Sequence, residues 1–172
     1  KIKIPLKKVD NEKLILYNCK AFLRSIMIID LRKLKASGKT ETDFYFEFEP
    51  QEGLSSLPEV TVLSPVKVTG RAVITGNHSM FIEGEVNYVL SGNCTRCLEH
   101  TEKECVAEFS GEAEENDEEC YKLVNDAVDV KKIAEETIIL NLPVNFLCKD
   151  DCKGICAGCG VNLNNGICKC GK

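Results

Sequence analysis

The stretch EVTVLSPVKVTGRAVITG, residues 59–76, and the stretch SMFIEGEVNYVLSGNC, residues 79–94, decide the fold. In both, apolar and polar side chains alternate, a pattern typical of a strand with one face in a core and the other in solvent. The TGNHS segment between them is typical of a hairpin turn. We therefore predict two long antiparallel strands, with a bend or edge position at Pro65 and a bulge at Gly84.

The same alternation extends to both sides of this hairpin. TDFYFEF (42–48) and KECVAEFSGE (103–112) are predicted to be further strands. DVKKIAEETIILNLP (129–143) predicts the main helix, capped by Asp129 and ended by Pro143. A shorter helix is expected in DLRKLKAS, before Gly38. The predicted fold is α+β: an antiparallel β-meander or partly closed barrel with one main helix and a cysteine-rich tail.

Composition excludes several classes of protein. The chain has 172 residues and a net charge of −5, whereas a general nucleic-acid binder is usually basic. Six carboxylates lie in EAEENDEE (112–119), which we interpret as a solvated loop. No apolar stretch reaches the roughly 18 residues of a membrane helix, and residues 1–20 do not resemble a secretory signal. We expect a cytoplasmic protein without a membrane partner, whose thiols stay reduced.

Eight of the eleven cysteines form four closely spaced pairs. The pairs are Cys94 and Cys97, Cys148 and Cys152, Cys156 and Cys159, and Cys168 and Cys170. Two thiolates in a C-x2-C turn can reach one tetrahedral ion, and two such pairs complete a four-thiolate zinc site. Glycine after the second cysteine of CAGCG and CKCG suits a tight knuckle. The spacing predicts a C-terminal zinc-binding tail with one or two zinc ions.

Spacing leaves the assignment of pairs open. We favour a tail site made of Cys156, Cys159, Cys168 and Cys170, with GVNLNNGI as its hairpin. Cys94 and Cys97 would then join Cys148 and Cys152 in a second site that attaches the tail to the β-rich domain. The main alternative gathers Cys148, Cys152, Cys156 and Cys159 into one site. A single zinc ion with spare thiols is a further alternative.

Other chemistries fit the pattern less well. Neither C-x2-C motif opens a helix after a strand, as thioredoxin-like redox chemistry prefers. C-x-C packing and knuckle glycines favour zinc over an iron–sulfur cluster. Four thiolates close a site, whereas catalytic zinc keeps an open position, so we expect no enzyme; a hydrolase or nuclease would need a pocket of carboxylates or histidines. The remaining Cys and His residues are expected to be unpaired: Cys19, Cys105, Cys120, His78 and, as a weaker alternative ligand, His100.

The motifs together resemble one family. CTRCLE (94–99), followed by LCKDDCKGICAGCGVNLNNGICKC (147–170), resembles the YceD family of bacterial proteins, a family of metal-binding, candidate nucleic-acid-binding proteins. IIDLRKLKASG, LSPVKVTGRAVITG and ETIILNLPV extend the resemblance from Met27 to Cys170. The sequence has Ala157 where the family commonly has proline, which the turn should tolerate.

The resemblance implies a role in the accumulation or processing of large-subunit ribosomal RNA, and hence in ribosome assembly, with no established enzymatic activity. Some members lack the terminal knuckle but keep the first two pairs, which supports joining those four thiols. Three segments follow: an N-terminal extension (1–26), a β-rich core domain (27–147) and a zinc-binding tail (148–172).

The implied partner is ribosomal RNA or a pre-ribosomal particle. Cationic side chains near the cysteines would contact phosphates: Arg96, Lys149, Lys153, Lys169 and Lys172. Each four-thiolate zinc centre carries a formal charge of −2, so strong, sequence-independent phosphate binding is not expected. The alternative is an adaptor whose acidic loop engages a basic ribosomal protein.

Overall fold

The computed structural model describes residues 27–115, 117 and 119–170. The predicted extension (1–26), Cys19 and Lys172 lie outside the described residues. The described part contains one seven-stranded sheet, curled into a half-barrel, and two helices. The strand order in the sheet is β1-β7-β6-β5-β4-β3-β2.

Four consecutive antiparallel strands form the main part of the sheet. They are β2 (Glu41–Phe48), β3 (Val60–Ile74), β4 (Ser79–Asn93) and β5 (His100–Glu114). The predicted turn closes the β3–β4 hairpin, because the Thr75 and Gly76 amides both donate to the carbonyl oxygen of Ser79 at 3.2 Å. The meander predicted from alternation is thus confirmed.

Three short strands complete the sheet. They are β1 (Ile28–Asp30), β6 (Tyr121–Val124) and β7 (Ala127–Asp129). β6 pairs with β5 in parallel, while β7 pairs antiparallel with both β6 and β1. These strands were not predicted, because three or four residues are too few to show alternation.

Two helices pack with the sheet. α1 (Leu31–Ala36) and α2 (Val130–Leu140) begin where Asp30 and Asp129 accept hydrogen bonds from backbone amides of the first turn. With only six and eleven helical residues, the described chain is mostly sheet and nearer to an all-β fold than to the predicted α+β class. Neither described helix has the length and apolar character needed to cross a membrane.

The core lies between the concave face of the sheet and α2. Side chains of Val68, Ile82 and Val86 in the strands are fully buried with Ala134 and Ile138 of the helix. Burial of this apolar face is the main favourable contribution to folding of the sheet. The loop of residues 94–99 connects the end of β4 to the start of β5.

Gly84 does not form the predicted bulge. It pairs in register with Gly70 on β3 and with Phe109 on β5. A Cβ atom on Gly84 would lie 2.3 Å from the carbonyl oxygen of Thr69 and 2.7 Å from the Phe109 ring. The glycine is therefore required for close approach of neighbouring groups, which is the other common reason for glycine inside a strand.

The irregularity of the sheet lies at Pro65 instead. The register of β3 with β4 shifts between Leu63 and Lys67, as expected for a proline that cannot donate to the ladder. The acidic run also differs from expectation, since Glu112 and Glu114 belong to β5 and pair with β4. Among the described residues of this run, Glu115, Asp117 and Glu119 lie outside a strand.

Candidate metal centres

The first cluster joins the sheet to the tail. Cys94 and Cys97 lie in the loop between β4 and β5, and Cys148 and Cys152 follow α2 in the chain. The Sγ atoms of Cys94 and Cys152 are 3.7 Å apart, and those of Cys97 and Cys148 are 3.6 Å apart. All four sulfur atoms lie within 4.8 Å of one another.

Hydrogen bonds hold the two halves of the first cluster together. The carbonyl oxygen of Phe146, a fully buried residue, accepts from the Thr95 amide at 2.8 Å. The Arg96 guanidinium donates to the carbonyl oxygen of Cys152 at 3.2 Å, and the Arg96 carbonyl oxygen accepts from the Ile155 amide at 3.1 Å. The β4–β5 loop is therefore bound to the chain on both sides of Cys148 and Cys152.

The first cluster is almost closed to solvent. Cys94, Cys97 and Cys152 are 0%, 4% and 3% exposed, and Leu147 and Cys148 pack against them. Burial of several polarisable thiols in one small group is typical of a structural site.

The second cluster lies wholly within the tail. Cys156, Cys159, Cys168 and Cys170 also have their sulfur atoms within 4.8 Å of one another. The Cys156 and Cys168 Sγ atoms are 3.1 Å apart, and those of Cys159 and Cys168 are 3.9 Å apart. In contrast to the first cluster, Cys159 and Cys170 are exposed and the other two thiols are half-buried.

The two C-x2-C turns have the same backbone hydrogen bonds. In the first, the Leu98 amide donates to the Cys94 carbonyl oxygen at 2.9 Å; in the second, the Gly160 amide donates to the Cys156 carbonyl oxygen at 2.8 Å. Leu98 and Gly160 also share positive φ values, 61° and 71°. Leucine thus occupies a left-handed position that favours glycine, at a cost of roughly 1–2 kcal/mol, and its side chain is 63% exposed.

Asn164 connects the tail hairpin to the first cluster. Its side-chain amide donates to the Cys152 sulfur at 3.4 Å, and its Oδ1 accepts from the Lys153 amide at 2.9 Å. The hydrogen bond from Asn164 also lowers the pKa of the Cys152 thiol. From its spacing this residue is predicted only as part of a loop, because Cys152 and Asn164 are 12 positions apart and no local pattern links them.

Backbone amides stabilise a thiolate in the first cluster. Burial raises the pKa of the Cys94 thiol, but hydrogen bonds from the amides of Cys97, Cys148 and Arg96 outweigh it and lower the pKa to about 6. At Cys148, burial and the neighbouring thiols raise the pKa to about 12. One thiol of this cluster ionises readily, while another stays protonated until a cation offsets the accumulated negative charge.

In the second cluster, too, hydrogen bonds lower the pKa of one thiol while the pKa of another is raised. Hydrogen bonds from the Cys159 amide, the Cys168 thiol and the Gly158 amide lower the pKa of Cys156 to about 6. The Cys170 amide stabilises the Cys168 thiolate, but hydrogen bonds with the thiols of Cys156 and Cys170 raise the Cys168 pKa to about 11. Amides also point at sulfur, as expected for a knuckle: Gly158 N–H lies 3.4 Å from the Cys156 Sγ.

Both clusters fit a tetrahedral metal ion. With Zn–S bonds of about 2.3 Å, the sulfur atoms of a tetrahedral site lie about 3.8 Å apart. The observed separations of 3.6 and 3.7 Å in the first cluster match this geometry. In the second cluster the separation of 3.9 Å matches it, while that of 3.1 Å is about 0.7 Å shorter. The grouping coincides with the one favoured from the sequence and differs from the alternative that gathers the four thiols of residues 148–159.

Four of the five predicted phosphate-binding side chains are described, and all four are exposed. Arg96 is exposed, although one guanidinium nitrogen is engaged with Cys152. Lys149 Nζ lies 3.8 Å from a carboxylate oxygen of Asp151. Lys153 and Lys169 are exposed and form no ion pair within the described residues. The structure thus leaves these two lysines most available.

The remaining thiols and histidines of the described residues lie outside the two clusters. His100 Nε2 is 3.2 Å from the Ser91 hydroxyl, and His78 Nδ1 is 2.8 Å from an Asp126 carboxylate oxygen. Burial raises the pKa of the Cys105 thiol. Cys120 was expected to be isolated but lies close to the carboxylates of Glu114 and Asp117; this exposed, mainly acidic group offers no comparable enclosure.

Parts of this chain are similar in sequence to other proteins. A protein from Arabidopsis thaliana, "Large ribosomal RNA subunit accumulation protein YCED homolog 1, chloroplastic", is 36% identical over 45 residues, which cover 26% of this chain and 14% of the relative. Uncharacterized proteins of Mycobacterium bovis and Mycobacterium tuberculosis are 25% identical over 96 residues, covering 51% of this chain and 46% of each relative. The chain therefore spans less than half the length of these relatives. No solved structure matches the chain.

The match to a family model covers more of the molecule. The model described as "Large ribosomal RNA subunit accumulation protein YceD" matches residues 82–172, just over half of the chain. These residues run from the middle of β4 through α2 to the tail and include all eight clustered thiols. On this match, the chain belongs to the YceD family.

Proposed function

We propose that this protein binds zinc at its two thiol clusters and supports the accumulation or processing of large-subunit ribosomal RNA. In this proposal it acts in ribosome assembly by binding RNA or a pre-ribosomal particle and catalyses no reaction. The observation that carries the proposal is the family match, which spans both clusters. The name of the Arabidopsis relative supports the same role.

The donor set supports zinc as the metal. Each cluster offers four thiols and no carboxylate or imidazole among the described residues. Soft thiolates in tetrahedral arrangement favour zinc, and four of them leave no position open for a substrate. This supports a structural rather than catalytic role. Such thiolates must stay reduced, which agrees with the expected cytoplasmic location.

Metal analysis tests the zinc proposal. Protein purified under reducing conditions is expected to contain up to two equivalents of zinc. Loss of zinc should make the eight thiols reactive toward alkylating agents. Protein that is reduced throughout and contains no metal would contradict the proposal.

The surface near the clusters supports modest affinity for RNA. Lys153 and Lys169 are free to contact phosphate, and Arg96 has guanidinium nitrogens beyond the one bound to Cys152. The attraction of these side chains for phosphate is weakened by the negative charges of Asp150, Asp151 and the metal centres. Affinity should therefore depend on a few placed contacts rather than on a basic surface.

A salt titration tests RNA binding. The zinc-loaded protein is mixed with a large-subunit ribosomal RNA fragment, and the affinity is measured at increasing KCl concentration. Replacing both Lys153 and Lys169 with alanine should reduce the slope of log K against log salt by about 2, since each phosphate contact contributes about 1. Replacing Lys149, which is paired with Asp151, is the matched control and should change the slope less. No binding at low salt would contradict the RNA-binding part of the proposal.

A second candidate function is an adaptor that binds a basic ribosomal protein through the acidic run. Glu114, Asp117 and Glu119 of this run are exposed, and the chain as a whole is acidic. Opposite charge would accelerate association with a basic partner. Binding to a basic ribosomal protein that persists in the absence of RNA, and is lost when these carboxylates are replaced by amides, would favour this candidate.

A further inference from the structure

The second cluster differs from the first in its access to small reagents in solution. We propose that it is an oxidative modification site: hydrogen peroxide converts its four thiolates to two disulfides with release of the metal ion, while the first cluster stays reduced. This inference rests on the proposed metal binding.

Exposure is the first observation that carries the proposal. Cys159 and Cys170 are exposed, whereas Cys94, Cys97 and Cys152 of the first cluster are at most 4% exposed and Cys148 is half-buried. Oxidation by peroxide depends on thiolate character and on access to the sulfur atom. Metal coordination would supply thiolate character equally in both clusters, so access decides between them.

Proximity of the sulfur atoms is the second observation. The 3.1 Å between Cys156 and Cys168 is shorter than the sulfur separations of 3.6 and 3.7 Å in the first cluster. A disulfide requires about 2.05 Å, so these two atoms need to approach by only about 1 Å once their bonds to the ion break. Cys159 and Cys170 remain as the second pair.

The backbone around the second cluster can shift as the sulfur atoms approach one another. The four cysteines lie within 15 consecutive residues, and the described backbone there contains a single isolated bridge, between Ile155 and Asn162. A disulfide between Cys94 and Cys152 would instead displace the β4–β5 loop against the buried Phe146. The same reaction therefore requires more structural change in the first cluster.

The reaction is balanced with peroxide as the only oxidant. A thiolate sulfur attacks one peroxide oxygen, the O–O bond breaks, hydroxide leaves and a sulfenic acid forms. The neighbouring thiolate then attacks this sulfur, the S–S bond forms, and the S–O bond breaks with loss of a second hydroxide. Two thiolates supply the two electrons that reduce one peroxide molecule. A second round consumes the other two thiolates, and the ion, without ligands, leaves as a divalent cation.

The experiment adds hydrogen peroxide in steps to the reduced, zinc-loaded full chain. Zinc release is followed with a chromogenic chelator, and disulfide-linked peptides are identified by mass spectrometry after alkylation of the remaining thiols. We expect one of two zinc equivalents to be released first, together with a disulfide between Cys156 and Cys168. The thiols of the first cluster should remain free for alkylation after denaturation. A thiol reductant with added zinc should reverse the change.

Two variants test whether peroxide oxidises the second cluster selectively or oxidises both clusters. In Cys152→Ser, which alters only the first cluster, the second cluster should still form its disulfides. Cys168→Ser should lose the zinc equivalent of the second cluster before peroxide is added, so peroxide should release no zinc from it at the concentration that releases one equivalent from the unsubstituted chain. Oxidation of both clusters at the same peroxide concentration, or of neither, would overturn the proposal.

Metal content before peroxide addition distinguishes this proposal from the proposed function. Absence of zinc in the reduced protein would contradict metal binding itself. Two equivalents of zinc that persist in peroxide would leave metal binding intact and overturn only the modification site.

Discussion

The two thiol clusters have the same donors and the same knuckle backbone but differ in what surrounds them. The first connects residues 51 and 58 positions apart and is buried between the β4–β5 loop and the chain after α2. The second connects residues 9 and 12 positions apart and lies near the surface. Identical chemistry thus supports two roles: attachment of the tail to the sheet by the first cluster, and local folding of the tail by the second.

The largest difference is expected between cysteine variants of the two clusters. Cys94→Ser should abolish metal binding at the first cluster and detach the tail, because a structural zinc site contributes its binding free energy to folding. Cys159→Ser should remove one metal equivalent and loosen only the tail. Limited trypsin digestion checks this, since cleavage after Lys149 and Lys153 should accelerate much more in Cys94→Ser. Equal acceleration of this cleavage in both variants would contradict the distinction between the clusters.

A smaller effect is expected at the contact between the tail hairpin and the first cluster. Asn164→Ala removes the hydrogen bond to the Cys152 sulfur, and loss of such an outer-shell partner costs about 10–100-fold in metal affinity. Competition with a zinc chelator measures this change. Asn165→Ala is the control, because the Asn165 side chain binds only the exposed Glu99 carboxylate among the described residues. Equal loss in the two variants would show that Asn164 does not act on the metal centre.

One glycine near each cluster allows the effect of an added Cβ atom to be compared between the clusters. Gly154 and Gly160 have φ values of 72° and 71°. A Cβ atom on Gly154 would lie 3.1 Å from the Arg96 carbonyl oxygen, while one on Gly160 would meet no atom within 4 Å. Gly160→Ala should therefore cost only the left-handed strain of roughly 1–2 kcal/mol, and Gly154→Ala should cost more. Chemical denaturation of the zinc-loaded variants measures the loss of unfolding free energy in each. A larger loss for Gly160→Ala than for Gly154→Ala would contradict this prediction.

The smallest effect is expected at Leu98. Leu98→Gly should relieve part of the left-handed strain and raise the free energy of unfolding by up to about 1 kcal/mol. Leu98→Ala keeps a Cβ atom and hence the strain, so it serves as the control and should not stabilise the protein. Equilibrium unfolding in urea measures both variants. No difference between glycine and alanine would show that the backbone at this knuckle is not strained.

Local patterns predicted the regular elements well. Alternation identified β2 to β5 within a few residues of their observed ends, and Asp129 identified the start of α2. The short strands β1, β6 and β7 could not be recognised, since their pairing depends on the curl of the sheet rather than on their own residues. The bulge expected at Gly84 was wrong because a glycine in a strand has two explanations, and only neighbouring strands distinguish them.

By itself, the sequence determined the number of thiol pairs, the turns that each pair forms and the alternation that builds the sheet, because these depend on residues within a few positions of one another. In the tertiary structure Cys94 and Cys97 meet Cys148 and Cys152, which is the grouping favoured among those that spacing left open. The contact of Asn164 with the first cluster and the difference in exposure between the two clusters are visible in the tertiary structure alone. Distance along the chain carries no information about these contacts. They arise when α2 packs on the sheet and brings the start of the tail to the β4–β5 loop, where burial of Phe146 holds it.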